Sequence, residues 1–222
     1  MIEKLLKLFP EKSVLYFAHP KIRAAKEAYE KLLPKKELDA KHTANCVVLP
    51  NRVALLEKLP QNGHVAELGV DTGGFSSLVL ERNHPAKLHL VDAWHTTRYG
   101  EDKAQGVLKK FEGQIADGTV QLHRGLSTEK ASDFDDNYFD WIYIDTNHSY
   151  QTTYEELRAY APKMKPGGII AGHDFINGNW ISGLRYGVRE AVHEFCVEEG
   201  WEFVFLTMEI GDNPSFAIRK IV

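Results

Sequence analysis

The spacing of apolar positions changes along the chain at about residue 63. Before it, Pro10, Pro20, Pro34, Pro50 and Pro60 cut the sequence into short pieces, because each ring removes a backbone donor and resists helix continuation. Between them, residues 22–33 and 52–59 predict two short helices. After it, short apolar runs alternate with stretches of helical period. HVAELGV (64–70), KLHLVDAW (87–94), TVQLHRG (119–125), FDWIYID (139–145) and GGIIAGHDF (167–175) predict five strands, and FDWIYID is apolar enough to be buried on both faces. Helices are predicted over 74–82, 107–115 and 150–164. In 184–198, Leu184, Val188, Ala191, Val192 and Phe195 recur at helical spacing as one apolar face. WEFVFLTM (201–208) and SFAIRKIV (215–222) close the chain as two strands with no helix between them.

Strand and helix in regular alternation predict an α/β fold: a doubly wound, Rossmann-like sheet of seven strands, mostly parallel. The last two strands can pair only as an antiparallel hairpin, placed at the sheet edge. Residues 1–60 read as an N-terminal helical extension and residues 61–222 as the main domain. The 222 residues suit one domain, since α/β folds of roughly 200–250 residues stand as single units.

Composition narrows the class. Hydrophobic residues make up 43% and charged residues 26%, and the net charge is −4. This excludes wholesale disorder and gives no basic signature of a nucleic-acid or anionic-membrane binder. Cys46 and Cys196 lie far apart without metal spacing and read as buried thiols of a reducing compartment. The start MIEKLLKLFPEKS lacks a cleavage site, and no apolar run approaches the roughly 18–20 residues of a membrane span. The expectation is a cytoplasmic protein with a small-molecule partner, and no membrane or nucleic acid. The basic residues between Lys21 and Lys41 read as a solvated helix face.

The first strand runs into Glu67-Leu-Gly-Val-Asp-Thr-Gly-Gly-Phe-Ser76. Glycines at 69, 73 and 74 allow a tight turn and close approach of a ligand to a helix N-terminus. The spacing is not G-x-G-x-x-G, and Asp71 stands where a pyrophosphate loop carries its second glycine. That argues against a nicotinamide dinucleotide, and an acidic loop suits a cofactor bearing an ammonium and a sulfonium. Asp92, at the end of the second strand, is placed to accept from ribose hydroxyls.

ELGVDTGGFSS, LHLVDAW, FDWIYIDTNHSYQTTYEEL and KPGGIIAGHDF resemble successive motifs of class I S-adenosylmethionine-dependent methyltransferases over roughly residues 50–222. The ID-x-x-H-x-Y and G-x-x-x-x-HD segments resemble the small-molecule O-methyltransferase branch, including the macrocin type and, more distantly, the caffeoyl-CoA and catechol types. The resemblance implies that Glu67, Gly69, Val70, Asp71, Gly73, Phe75 and Ser76 form the loop around the methionine moiety. It implies Asp92 for the ribose, with Trp94 beside it, Gly125, Leu126 and Ser127 at the adenine, and Asp145 at the reacting end.

Asp145, His148, His173 and Asp174 close the fourth and fifth strands, which are neighbours in such a sheet and should bring the four together. Carboxylates and imidazoles at one mouth can bind a divalent metal or supply a base. The resemblance points to Asp145 as a metal ligand and to His148 in the place of a catalytic lysine. His173 and Asp174 stand where metal-dependent relatives carry Asp-Asn or Asp-Asp, so Asp145, His173 and Asp174 are the candidate ligands, for Mg²⁺ or a similar ion. His148 and Asp145 are the candidate catalytic residues. His148 also reads as a helix cap, and His173 as a group orienting a carboxylate. The loop 177–183 reads as an acceptor lid or a plain connector. Arg185 and Arg189 read as a solvated face or a grip on an anionic acceptor. The expected function is methyl transfer to the hydroxyl of a sugar or secondary metabolite. The alternative is a cofactor-binding module without turnover. The role of residues 1–60, including in a homodimer, is open at this stage.

Overall fold

The computed structural model of the chain describes residues 20–179 and 183–222, so the N-terminal leader reading and Trp180 lie outside the described residues. Residues 1–34 and 35–222 are separate compact units. Of the first, helix α1 (Pro20–Leu32) is described. Its residues 24–32 are exposed except for a half-buried Glu30, as a solvated face requires.

The second unit is built on one sheet. Its strands are β1 (Val47–Leu49), β2 (His64–Leu68), β3 (Lys87–Asp92), β4 (Val120–Arg124), β5 (Phe139–Ile144), β6 (Met164–Gly172), β9 (Trp201–Thr207) and β10 (Phe216–Lys220). They lie in the order β1-β9-β10-β6-β5-β2-β3-β4. β10 is antiparallel to both its neighbours, and the remaining pairs are parallel. The seven expected strands are present, the last of them antiparallel. An eighth comes from the segment read as helical, where Val47–Leu49 pairs with Phe205–Thr207. The closing hairpin forms, but β10 inserts between β6 and β9, so neither of its strands is the sheet edge.

The apolar pattern explains the two layers. Alternation along β5 sends Trp141 and Tyr143 to one face and Ile142 and Ile144 to the other. The first face is covered by helices α2 (Arg52–Lys58), α3 (Gly74–Arg82) and α4 (Glu101–Lys110) through Leu55, Leu56, Val79 and Val107. Helices α7 (Tyr150–Tyr160) and α8 (Val188–Glu199) cover the second through Leu157, Tyr160, Val192 and Phe195. Each fully buried aliphatic or Phe side chain contributes about 1.5–3 kcal/mol. Between α4 and α7 lie the short helices α5 (Glu112–Ala116) and α6 (Ser127–Lys130). Cys46 and Cys196 are free thiols.

Three boundaries differ from the pattern. α7 ends at Tyr160 because Pro162 turns the chain through a short 3-10 segment, and Met164 opens β6. α8 begins at Val188, not Leu184. Leu184–Arg185 instead pairs as strand β8 with β7 (Gly178–Asn179), leaving Leu184 exposed. Arg185 bonds the Asn177 carbonyl (3.1 Å) and Glu190 (2.5 Å), and Arg189 bonds the Asn177 side chain (3.0 Å). Both arginines tie this hairpin to α8. No helix among the described residues is long and apolar enough to cross a membrane.

Candidate active site

From β2 the chain moves out to β3 and β4, then returns to β5 on the other side of β2. The reversal opens a crevice at the carboxyl ends of β2, β3 and β5, the usual ligand position in an open α/β sheet. A cavity of about 420 Å³ fills it. Gly69 is mandatory here: its φ is +88°, and an added Cβ would stand 2.0 Å from the Asp145 carbonyl oxygen. Gly73, at φ +70°, caps α3, where a Cβ would meet the Phe111 ring at 2.6 Å.

Asp71 takes the left-handed conformation without being glycine (φ +52°), a state that persists only when the surroundings enforce it. Three ties do so. Asp92 Oδ2 accepts from the amides of Val70 (2.8 Å) and Asp71 (3.0 Å), the Trp94 indole donates to the Asp71 carbonyl (3.0 Å), and Lys103 of α4 pairs with the Asp71 carboxylate. Asp92 Oδ1 also accepts from the Trp94 amide (2.9 Å). A carboxylate offers about four lone-pair positions, so Asp92 keeps one for a ribose. Its other three fix the loop. Trp94 is buried and lines the cavity while clamping that loop.

Glu67 lies beneath the loop, fully buried, and accepts from Ser76 Oγ. Burial outweighs that hydrogen bond and lifts its carboxyl to about 8, so Glu67 is mostly protonated at neutral pH.

The four residues expected to converge do so at the reacting end. His148 Nε2 abuts Asp174 Oδ2 and lies 3.9 Å from Asp145 Oδ1, yet this buried nitrogen makes no aligned hydrogen bond. His173 Nδ1 lies 3.7 Å from Asp145 Oδ2 and 3.5 Å from Asp174 Oδ2, and its Nε2 is 3.5 Å from Asp212 Oδ1. Burial alone would depress His148, but the two carboxylates lift it to about 9. Burial would likewise raise Asp174, and the two histidines hold it well below the usual carboxylate range.

One ligand atom each from Asp145, His148 and Asp174 falls within 4.8 Å of the others, the arrangement of a three-ligand metal site among the described residues. The expected set named His173 in the place where the structure puts His148. His173 stands behind, bridging Asp145 and Asp174 to Asp212. The helix-cap reading of His148 does not hold, since Ser149 caps α7 by accepting from Thr152 (3.2 Å).

Of the residues read from the sequence, Glu67, Gly69, Val70, Asp71, Phe75, Asp92, Trp94, Gly125, Leu126, Ser127, Asp145 and His148 line the cavity. Gly73, Ser76, His173 and Asp174 support it from behind. The pattern missed Arg52, which lines the cavity over the Phe75 ring (5.3 Å) and pairs with Asp212 at 2.8 Å. It also missed Thr146, which lines the cavity, and Glu156 behind it. In the GDNP turn between β9 and β10, Asp212 and Asn213 bond His173 and Asp174. Their only sequence signal was that of a turn.

Residues 66–175 match the family of methyltransferase domains. No curated protein sequence matches the chain. Among solved structures, a candidate O-methyltransferase from Klebsiella pneumoniae is 19% identical, with 90% of this chain and 88% of that one covered and a TM-score of 0.58. A candidate rRNA methylase from Clostridium thermocellum is 15% identical over 79% and 99% of the two chains, with a TM-score of 0.59. A geranyl diphosphate methyltransferase in complex with S-adenosylmethionine is 10% identical over 77% and 84%, with a TM-score of 0.57. These are likenesses of fold, and they agree with the strand order and the glycine crevice derived above. The chain carries a class I S-adenosylmethionine-dependent methyltransferase domain.

Proposed function

We propose that this domain transfers the methyl group of S-adenosylmethionine to a hydroxyl of a small molecule, with a divalent cation held by Asp145, His148 and Asp174. The observation that carries the reading is the His148 Nε2, buried between two carboxylates without an aligned hydrogen bond. Such an atom is explained by a ligand that accepts its lone pair. Two carboxylates and one imidazole suit Mn²⁺ or a similar transition ion better than Mg²⁺, which prefers oxygen throughout. A cation there would supply the positive charge that lowers the pKa of an acceptor hydroxyl.

The residues of the chain do the rest. Asp145 and His148 bring the reacting end of the cavity to the Gly69 turn, where the glycine loop would hold the methionine moiety. In-line displacement needs that alignment above all. His173, with Asp212 behind it, fixes the orientation of Asp145 and Asp174.

Transfer of labelled methyl groups to a panel of sugars and phenols, after chelation and after adding back Mn²⁺ or Mg²⁺, tests the proposal. Turnover should depend on the added cation. Asp174→Asn should lose at least about 100-fold in rate while keeping cofactor binding, as expected for a ligand used only in the reaction. Undiminished turnover after chelation favours the second reading, in which His148 is the base. Its pKa of about 9 would then make the rate climb with pH toward 9. No turnover on any acceptor would favour a binding module.

A further inference from the structure

The wall of the cavity beside Gly125 contains two hydroxyls whose protons are already committed. Ser127 Oγ donates to Glu156 Oε1, and Thr146 Oγ1 donates to Glu156 Oε2 at 2.9 Å. Ser127 and Thr146 line the cavity, whereas Glu156 is completely buried behind them on α7. Tyr160 donates to the Ser127 carbonyl at 3.0 Å, fixing the same residue from a second side.

A hydroxyl carries one proton and two lone pairs. With both protons drawn inward by one carboxylate, Ser127 and Thr146 can only accept from a ligand. The sole Lys or Arg side chain lining the cavity among the described residues, Arg52, sits over Phe75 at the other end. The wall at Ser127 is therefore an acceptor surface with no cation to reverse its polarity. A 6-amino purine presents N–H to such a wall. A 6-oxo purine presents a lone pair, and the mismatch leaves polar groups unpaired, which is a strong basis for discrimination.

We infer that Glu156 is a positioning residue that sets the nucleobase preference of the cofactor site, selecting adenine over hypoxanthine through the hydrogen-bond polarity it imposes on Ser127 and Thr146. The inference rests on the cofactor assignment above, with the base end at Gly125–Ser127. It assigns a specificity role to a residue that never touches the ligand.

Calorimetric titration with S-adenosylhomocysteine and with its inosine analogue, S-inosylhomocysteine, tests it. The wild-type chain should bind the adenosine compound at least about 10-fold more tightly. In Glu156→Gln the new amide donates to one hydroxyl and releases that hydroxyl's proton toward the cavity, so the ratio should fall to about 2–3-fold. Ser127→Ala, which removes the oriented hydroxyl itself, should also lower the ratio and serves if Glu156→Gln does not fold. A merely structural Glu156 would weaken both ligands alike and leave the ratio unchanged, and that result overturns the inference. Tight binding of both compounds by the wild type overturns the inference alone. Binding of neither overturns the cofactor reading and the inference with it.

Discussion

Two regions of this molecule bury histidine, and they treat it in opposite ways. On the β3–β4–β5 side, His89 is 3% exposed and both its nitrogens are satisfied, by His123 Nε2 at 2.9 Å and by Tyr138 OH at 3.0 Å. Phe134 and Phe139 meet its ring edge-on. Burial there drives its pKa to about 3, so it is neutral. At the carboxyl rim of the sheet, His148 lies among carboxylates, its pKa is lifted to about 9, and its Nε2 has no aligned partner. The first arrangement is closed, because every polar atom is used by the fold. The second is open toward a cavity. Buried polar groups mark a site where they converge on space and remain incompletely paired. Burial by itself does not mark one.

The sharpest way to break this contrast is at Gly69. Gly69→Ala forces a side chain against the Asp145 carbonyl and into a left-handed backbone. It should weaken S-adenosylhomocysteine binding by at least about 100-fold. Gly106→Ala, on the exposed face of α4 with nothing near its Cβ, should leave binding unchanged and stabilise by about 0.5–1 kcal/mol. Equal behaviour of the two variants in calorimetry would remove the special status of the rim.

The closed region should be felt through pH. An unfolded His89 takes its proton near its ordinary pKa of 6.5, and the folded one only near 3. The unfolded chain therefore binds the proton first as the solution is acidified. The contribution of neutral His89 to stability is complete above pH 6.5 and is lost progressively toward pH 3. Glu67 and Glu156, whose carboxyls burial lifts to about 8 and about 7, act in the opposite sense over part of this range. The comparison that isolates His89 is urea unfolding of the wild type against His89→Gln. The wild type should lose stability relative to the variant between pH 6.5 and 4, and parallel curves would contradict the assignment.

The smallest effect belongs to the outer tie of the loop. Lys103 and Asp71 are partly exposed, and such pairs contribute about 0–1 kcal/mol. Lys103→Met should therefore weaken cofactor binding by no more than about 5-fold, and less at high salt. A loss as large as that from Gly69→Ala would mean that the loop depends on its lysine, not on its glycine.

Much of this was legible in the sequence. FDWIYID and the runs beside it marked the central strands because strands buried on both faces have few polar positions. Gly69 was legible as a tight turn, and Asp145, His148 and Asp174 as strand-end residues that would meet. What stayed hidden depends on three-dimensional packing. Val47–Leu49 is too short to show a period, and only pairing with β9 makes it a strand. Leu184 fitted a helical face, but a small hairpin claimed it first. His148 and His173 could not be ranked as ligands, since both precede or follow a carboxylate at similar spacing. Glu156 looked like any helix surface glutamate in TTYEEL, and its burial appears only when α7 meets Ser127 and Thr146.

The central claim is that the crevice between Gly69 and Ser127 is a site for S-adenosylmethionine. Calorimetric titration of the whole chain with S-adenosylhomocysteine, and separately with NADH, tests it most directly. The account predicts one site per chain with micromolar affinity for S-adenosylhomocysteine and no heat from NADH. Silence with the first ligand, or saturable binding of the second, would contradict it.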